Sequence, residues 1–303
     1  MNELVKKMKV FVTGSNGFVG KELVKELKKR KIDFVEFSRK FGDDITNYEQ
    51  IEKKMKGCDA VVHLAAIRNN DSDEKIQKIN IEATKNILKA AEKNKIKKFV
   101  LMSSVAVNGK IEAMIDETSP ILGVGNYAQS KIEAEKLANE FANKFNSIIL
   151  RAPFILGNDD YFKKIVQMVS NGLPLFSRQK NFGFLYVKNL TDAVIFSLEK
   201  NLSGTFVVAQ QDAISMKELY ETIYEFFNKK IDFVVLPRIC SKFWIYFLAF
   251  KIKILKQQIY YEFSVIDRLS NERVYSSKKL SSLGWKQKFS SKESIVDALK
   301  ELN

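Results

Sequence analysis

Apolar and polar positions along the first half of the chain fall into a repeating order. Lys9–Val12 is a short run rich in β-branched and aromatic residues, which predicts a strand, and Gly14 to Gly20 is a glycine-rich turn. From Phe18 to Arg30 the apolar residues Phe18, Val19, Leu23, Val24 and Leu27 recur at helical spacing. The same reading gives a strand over Ile32–Phe37, a short helix over Tyr48–Met55 and a strand over Ala60–Leu64. A long amphipathic helix over Lys75–Lys93, a strand over Phe99–Met102, a long helix over Tyr127–Phe145 and a strand over Ile148–Leu150 follow. Strands that alternate with helices predict an α/β fold with a doubly wound parallel sheet, covered on both faces. Beyond Arg151 the pattern is mixed, with helices expected near 160–171, 189–199 and 215–228. The expected division is therefore 1–155 for the sheet domain and 156–303 for a smaller, mixed α/β C-terminal lobe, with some elements returning to the sheet.

Composition narrows the partners. The formal charge is +14, from 50 Lys and Arg against 36 Asp and Glu. These cations are scattered as short lysine pairs without interleaved aromatic clusters, so the surface reads as solvated lysine and no nucleic-acid partner is expected. Two cysteines far apart and a single histidine exclude a disulfide framework and a multi-histidine metal centre, and no metal is expected. The charged N-terminus lacks the apolar stretch of a signal peptide, which makes the cytoplasm the expected location. The apolar run Phe243–Phe250, flanked by Lys242, Lys251 and Lys253, is too short to span a bilayer. It reads as a buried helix of the second lobe, or else as a weak membrane-surface patch with Trp244 and Tyr246 at the interface.

Two clusters carry chemistry. Gly14-Ser15-Asn16-Gly17-Phe18-Val19-Gly20 joins a predicted strand to a predicted helix. Glycines there permit a tight turn and close approach to a pyrophosphate, which the helix N-terminus would face with free N–H groups. This is the dinucleotide-binding variant of a Rossmann sheet, GxxGxxG, and it implies NADP or NAD as cofactor. The second predicted strand ends in Ser38-Arg39-Lys40 where an NAD site usually carries an acid, so Arg39 suits the 2′-phosphate of NADP. Tyr127 and Lys131 lie four apart at the start of a helix, hence on one face. An ammonium there would favour the phenolate, letting Tyr127 act as acid and base while Ser104, at the end of a strand, holds the same oxygen.

Read together, TGSNGFVG, Asp44-Ile45, HLAA at His63–Ala66, SSVAVNG at Ser103–Gly109, YAQSK and RAP at Arg151–Pro153 resemble the extended short-chain dehydrogenases/reductases, the NAD(P)-dependent nucleotide-sugar epimerases and dehydratases. Phe184–Ala193 and Leu283-Gly284-Trp285 extend the likeness over most of the chain. The resemblance implies Ser104, Tyr127 and Lys131 as the catalytic set, Asp44 and Ile45 near the adenine, Leu64, Ala65 and Ala66 under the cofactor, and Pro153 beside it. It implies a nucleotide-sugar substrate, held at its reacting oxygen by Ser104, and a homodimer. Arg178 and Arg273 are candidates for the substrate diphosphate, since a guanidinium suits paired phosphate oxygens, and Asn158, just past Gly157, is a candidate substrate contact. Val105 and Ala106 stand where dehydratases of the family carry an Asp-Glu pair, so water elimination is not expected. Phe182 stands where many relatives carry a phosphate-binding arginine. The expectation is hydride transfer at one sugar carbon, C4, by an epimerase or a 4-keto reductase of polysaccharide biosynthesis. An NADP-dependent dehydrogenase of a lipid-like alcohol and a non-catalytic NADP-sensing protein remain as alternatives. His63, the single histidine, is expected to cap a strand end beside the cofactor.

Overall fold

The strand-forming runs assemble edge to edge in one direction. The computed structural model of the chain describes residues 8–67, 72–111, 114–175, 181–230, 233–237, 240, 243 and 272–302. β1 (Lys9–Thr13), β2 (Asp33–Phe37), β3 (Ala60–His63), β4 (Lys98–Ser104), β5 (Asn146–Ala152) and a later strand, β8 (Gly204–Val207), form a six-stranded sheet in the order β2-β1-β3-β4-β5-β8. Every neighbouring pair is parallel. The doubly wound Rossmann-type sheet read from the sequence is therefore present. The chain leaves β1 toward β2 and then returns to place β3 on the other side of β1. The C-terminal edge there is the switch point where such sheets bind ligands.

The pleat explains how one strand serves two cores. Val10 and Val12 pack with Leu23 and Leu27 of α1 (Phe18–Lys29) and with Leu190 and Val194 of a later helix, α7 (Val187–Glu199). Phe11 points the other way, into a core with Ile51 and Met55 of α2 (Tyr48–Met55), with Ile87 of α4 (Ala83–Lys93) and with Ala134 of α5 (Asn126–Glu140). Both faces being covered, β3 is buried throughout and β1 nearly so, as the continuous apolar runs require.

Two expected elements differ. The helix over Lys75–Lys93 is a short α3 (Asp73–Ile76), a π-helical segment Gln77–Glu82, and then α4. The helix expected to reach Phe145 stops at Glu140. Phe141 and Phe145 then turn back, stacking in the core that also holds Phe99.

A separate core gathers β6 (Phe154–Leu156), β7 (Phe184–Tyr186), α6 (Asp160–Ser170), α8 (Met216–Phe226) and α10 (Ser291–Leu302). β6 and β7 form their own parallel pair. Ser215 and Glu218 form a capping box that fixes the start of α8. From the same half of the chain, β8, α7, Leu280 of α9 (Lys278–Ser282) and Trp285 return to the main sheet's core. Among the described residues no helix is long and apolar enough to cross a membrane, and no group of acidic, histidine or cysteine side chains could hold a metal. Apart from Phe243, which is exposed, the run Phe243–Phe250 lies outside the described residues.

Candidate active site

At the end of β1 the chain must turn sharply against its neighbour. Gly14 does so with φ of +68°, and a Cβ on it would lie 2.9 Å from the amide nitrogen of Ala65. Only glycine accepts both demands. A Cβ on Gly20 would lie 2.1 Å from the carbonyl of Gly14, so α1 is pressed directly onto the turn. Gly17 begins that helix without a side-chain cap, which leaves the first N–H groups open to an anion. The buried Ser15 Oγ has no hydrogen-bond partner among the described residues. An orphaned hydroxyl, an uncapped helix start and a turn that admits no Cβ fit a dinucleotide pyrophosphate. Gly14, Ser15, Asn16, Gly17, Phe18, Val19 and Gly20 thus make a candidate cradle, of which all but Ser15 and Asn16 line the cavity beside it.

A cavity of about 450 Å³ runs from this cradle along the C-terminal ends of the strands. Gly14, Phe18, Val19, Leu64 and Ala66 line one end; Ser104, Tyr127 and Lys131 line its wall; Pro153, Arg273 and Tyr275 continue it. The predicted acid/base group and the glycine turn therefore share one chamber. Lys131 is buried one helical turn past Tyr127. Its ammonium donates to the Met102 carbonyl at 2.8 Å and lies 5.9 Å from the centre of the Tyr127 ring. Ser104 closes β4, and its Oγ accepts from the Ala106 amide at 3.1 Å.

Several supporting residues were not singled out from sequence. The buried Asn80 side chain holds both backbone groups of Ile67, accepting from its N–H at 2.9 Å and donating to its carbonyl at 3.0 Å. It also donates to Ser130 Oγ at 2.9 Å, and Ser130 in turn donates to the Tyr127 carbonyl at 2.8 Å. The signal was a polar residue inside a buried apolar stripe, between Ile76 and Ala83. Glu135 was legible in the same way, as a charge among Ala128, Ala134 and Ala138. It grips Arg151 of β5 through two nitrogens, at 3.0 and 2.7 Å, and accepts from Ser103, so α5 is bolted to β4 and β5 beside the cavity.

His63 has the structural role expected of it. Thr84 donates to the Asn80 carbonyl at 2.8 Å, so its oxygen accepts from His63 Nε2 at 2.9 Å, and Nδ1 takes the Thr13 hydroxyl at 2.7 Å. Burial, with the nearby Lys131 ammonium, pushes the imidazole down to about 3, so it stays neutral.

The remaining expected residues scatter. Arg39 is exposed on a one-turn helix after β2, close to the turn because Gly14 N–H donates to Phe37, but off the cavity lining. Asp44 is exposed, and bonds from the backbone and hydroxyl of Thr46 hold its carboxyl below the usual range; Ile45 packs against the core that holds Phe37. Neither lines the cavity. Asn158 is also off it and donates to the Glu301 carbonyl at 2.8 Å. Arg178 lies outside the described residues, whereas Arg273 lines both this cavity and a second one of about 380 Å³. Phe182 is buried between Phe154 and Phe184, with ring centres 5.9 and 5.5 Å away. Asn108 is also buried, its amide donating to the Ser119 and Pro120 carbonyls at 3.0 Å each.

Known proteins resemble this chain in sequence and in fold. The chain is 27% identical over 249 residues to the N-acetyl-alpha-D-glucosaminyl-diphospho-ditrans,octacis-undecaprenol 4-epimerase of Escherichia coli O157:H7, covering 75% of each chain. It is 24% identical to a UDP-glucose 4-epimerase of Vibrio cholerae, covering 91% of this chain and 90% of that protein. The structure of a UDP-glucose 4-epimerase from Thermus thermophilus in complex with NAD superposes with a TM-score of 0.74 at 19% identity, over 97% of this chain and 99% of the other. The model of the NAD dependent epimerase/dehydratase family matches residues 10–209. With the glycine cradle and the sheet that carries it, this match makes the chain an NAD(P)-dependent enzyme and a member of the NAD-dependent epimerase/dehydratase family.

Proposed function

We propose that the chain carries out hydride transfer at one carbon, C4, of a sugar held on a nucleotide diphosphate, as an epimerase or a 4-keto reductase. The observation that carries this reading is the shared chamber, in which Ser104, Tyr127 and Lys131 face the same space as the glycine turn. A bound nicotinamide would supply hydride acceptance and donation. The chain's own groups handle the proton and the position. Tyr127 takes the proton of the reacting hydroxyl as that carbon is oxidised and returns it on reduction. Lys131, fixed by the Met102 carbonyl, favours the phenolate by its charge. Ser104 holds the sugar oxygen against Tyr127, while Val105 and Ala106 offer no acid or base for water elimination.

Tyr127→Phe is expected to lower turnover by at least about a hundredfold, the usual scale of a lost general acid/base. Dinucleotide binding should stay near normal. Near-normal turnover would refute the assignment. Dinucleotide retained through purification would mark an epimerase, and an empty site that prefers NADPH a reductase.

One observation favours a second carrier for the same sugar chemistry. Phe182, in the place of the relatives' arginine, is locked among aromatic rings and cannot grip a nucleotide's phosphate. The relative from Escherichia coli is named for a sugar on undecaprenol diphosphate. Comparing turnover of a UDP-linked with a polyprenyl-diphosphate-linked N-acetylhexosamine separates the two carriers.

A further inference from the structure

The end of β2 is where a dinucleotide-binding sheet meets the ribose of the adenosine. Here that end is fixed to the glycine turn, because Gly14 N–H donates to the Phe37 carbonyl at 2.9 Å. The residues that follow close on themselves. Phe41 N–H donates to the Ser38 carbonyl at 2.9 Å, Asp43 N–H to the same carbonyl at 3.3 Å, and Gly42 N–H to the Arg39 carbonyl at 3.1 Å. Gly42 makes the return with φ of +76°. The Ser38 hydroxyl accepts from the Lys40 amide at 3.2 Å.

A buried charge holds this loop. Asp43 is 3% exposed, and a carboxylate so placed needs partners for its charge. One of its oxygens accepts from the Ser38 amide at 2.9 Å, and the other from the Lys54 ammonium of α2. With both oxygens engaged, Asp43 is turned away from a ribose hydroxyl, which an acid at this place accepts in an NAD site. The neighbouring acids are placed elsewhere. Glu36 lies on the face of β2 opposite Phe37, and Asp44 accepts from the amide and hydroxyl of Thr46. Arg39 and Lys40 stand exposed on the turn that Asp43 closes, and neither is ion-paired among the described residues. A hydroxyl, a guanidinium and an ammonium on three successive residues are a donor set for a phosphate dianion.

We propose that Asp43 is a positioning residue for the choice between NADP and NAD. By binding the Ser38 amide and Lys54 together, it turns the only acid of the loop Ser38–Asp43 inward and presents Ser38, Arg39 and Lys40 to the 2′-phosphate of NADP. The role of Asp43 rests on the reading that Arg39 meets that phosphate. It concerns the dinucleotide alone and holds for an epimerase as for a reductase.

The experiment is titration of the full chain with NADPH and with NADH, read by nucleotide fluorescence, and its result is the ratio of the two dissociation constants. The unmodified chain is expected to bind NADPH about tenfold or more tightly than NADH, and Arg39→Ala to remove most of that difference. Asp43→Ala should remove it too, while NADH affinity stays within about threefold. Asp43→Asn keeps an oxygen for the Ser38 amide and should bind NADPH more tightly than Asp43→Ala. Should Asp43→Ala not fold, Lys54→Met is read in its place. Its lysine is 39% exposed, and its loss leaves the Asp43 charge uncompensated beside the phosphate, which should lower the ratio by about threefold or more. An unmodified chain without preference, or a ratio untouched by Arg39→Ala, overturns the reading of Arg39 and the proposal with it. A preference lost in Arg39→Ala but kept in Asp43→Ala and Lys54→Met leaves Arg39 in its role and overturns that of Asp43. So does a loss shared equally by NADPH and NADH, since Asp43 would then support the fold without choosing the dinucleotide.

Discussion

His63 offers a measurement in which one proton can be counted. It is the single histidine of the chain, and the folded protein holds it neutral, with its pKa down at about 3. In the unfolded chain an imidazole titrates near 6.5. A group whose pKa is lower in the folded state favours folding fully above its unfolded value and loses that contribution as the pH falls. Between those two values the unfolded chain binds one proton that the folded chain does not. Stability should therefore fall by up to about 1.4 kcal/mol for each unit of pH lost below about 6.5. From about pH 7 to about pH 5 the loss is roughly 2 kcal/mol, enough to move a urea midpoint clearly. Carboxylates with lowered values, such as Asp44, Asp59 and Asp116, add their own loss mainly below that window. The assay is urea unfolding of the unmodified chain and of His63→Gln across this range. The variant will be less stable throughout, because Thr13 and Thr84 lose a partner that reaches both, but its stability should be nearly flat with pH. An unmodified chain that keeps its stability at about pH 5, or a variant with the same slope, would refute the burial argument.

The buried pair of Glu135 and Arg151 should be costly to break on one side and cheap to remove whole. Glu135→Gln is expected to cost about 3–5 kcal/mol in chemical unfolding, whereas Glu135→Leu with Arg151→Met should recover most of it; equal losses would show that the pair itself supplies the stability. Gly20→Ala places a carbon 2.1 Å from the Gly14 carbonyl, so α1 must lift from the turn, and titration with NADH should show binding weakened at least about tenfold. Unaltered affinity in that variant would separate the turn from the cofactor.

Wherever hydrophobic period and local turn chemistry agreed, the sequence was a sufficient guide. Val10 to Val12, the glycine turn and the start of α5 each announce their own geometry over a few residues. The Tyr127–Lys131 pair was readable because a helix puts residues four apart on one face. What was not readable depends on pairings distant in sequence. Nothing near Asn108 reveals that its amide reaches Ser119 and Pro120, and nothing near Asn158 reveals that it turns toward Glu301. The break in the helix at Gln77–Glu82 was hidden for a similar reason. Its residues are acceptable to an ordinary helix, and the contacts of Asn80 with Ile67 and Ser130 accompany the wider turn. Arg39 and Asp44 mark a limit of another kind: both are exposed after β2, and neither lines the cavity, whose wall is made by residues far away in sequence.

The wide turn at Gln77–Glu82 can also be regarded as an insertion that the helix absorbed without breaking. Removing a single residue there would let the segment relax to ordinary α geometry. A single residue is worth about 100° of rotation, so everything on one side of the deletion would swing by that angle relative to the other. If α4 kept its place in the core, Asn80 and α3 would turn away from Ile67 and Ser130. Helix α5, which carries Tyr127, would lose its tie to the strand-end loop, although every residue that lines the chamber would still be encoded. The number of residues in this turn, and not only their identity, thus decides whether Asn80 reaches Ile67 and Ser130 together.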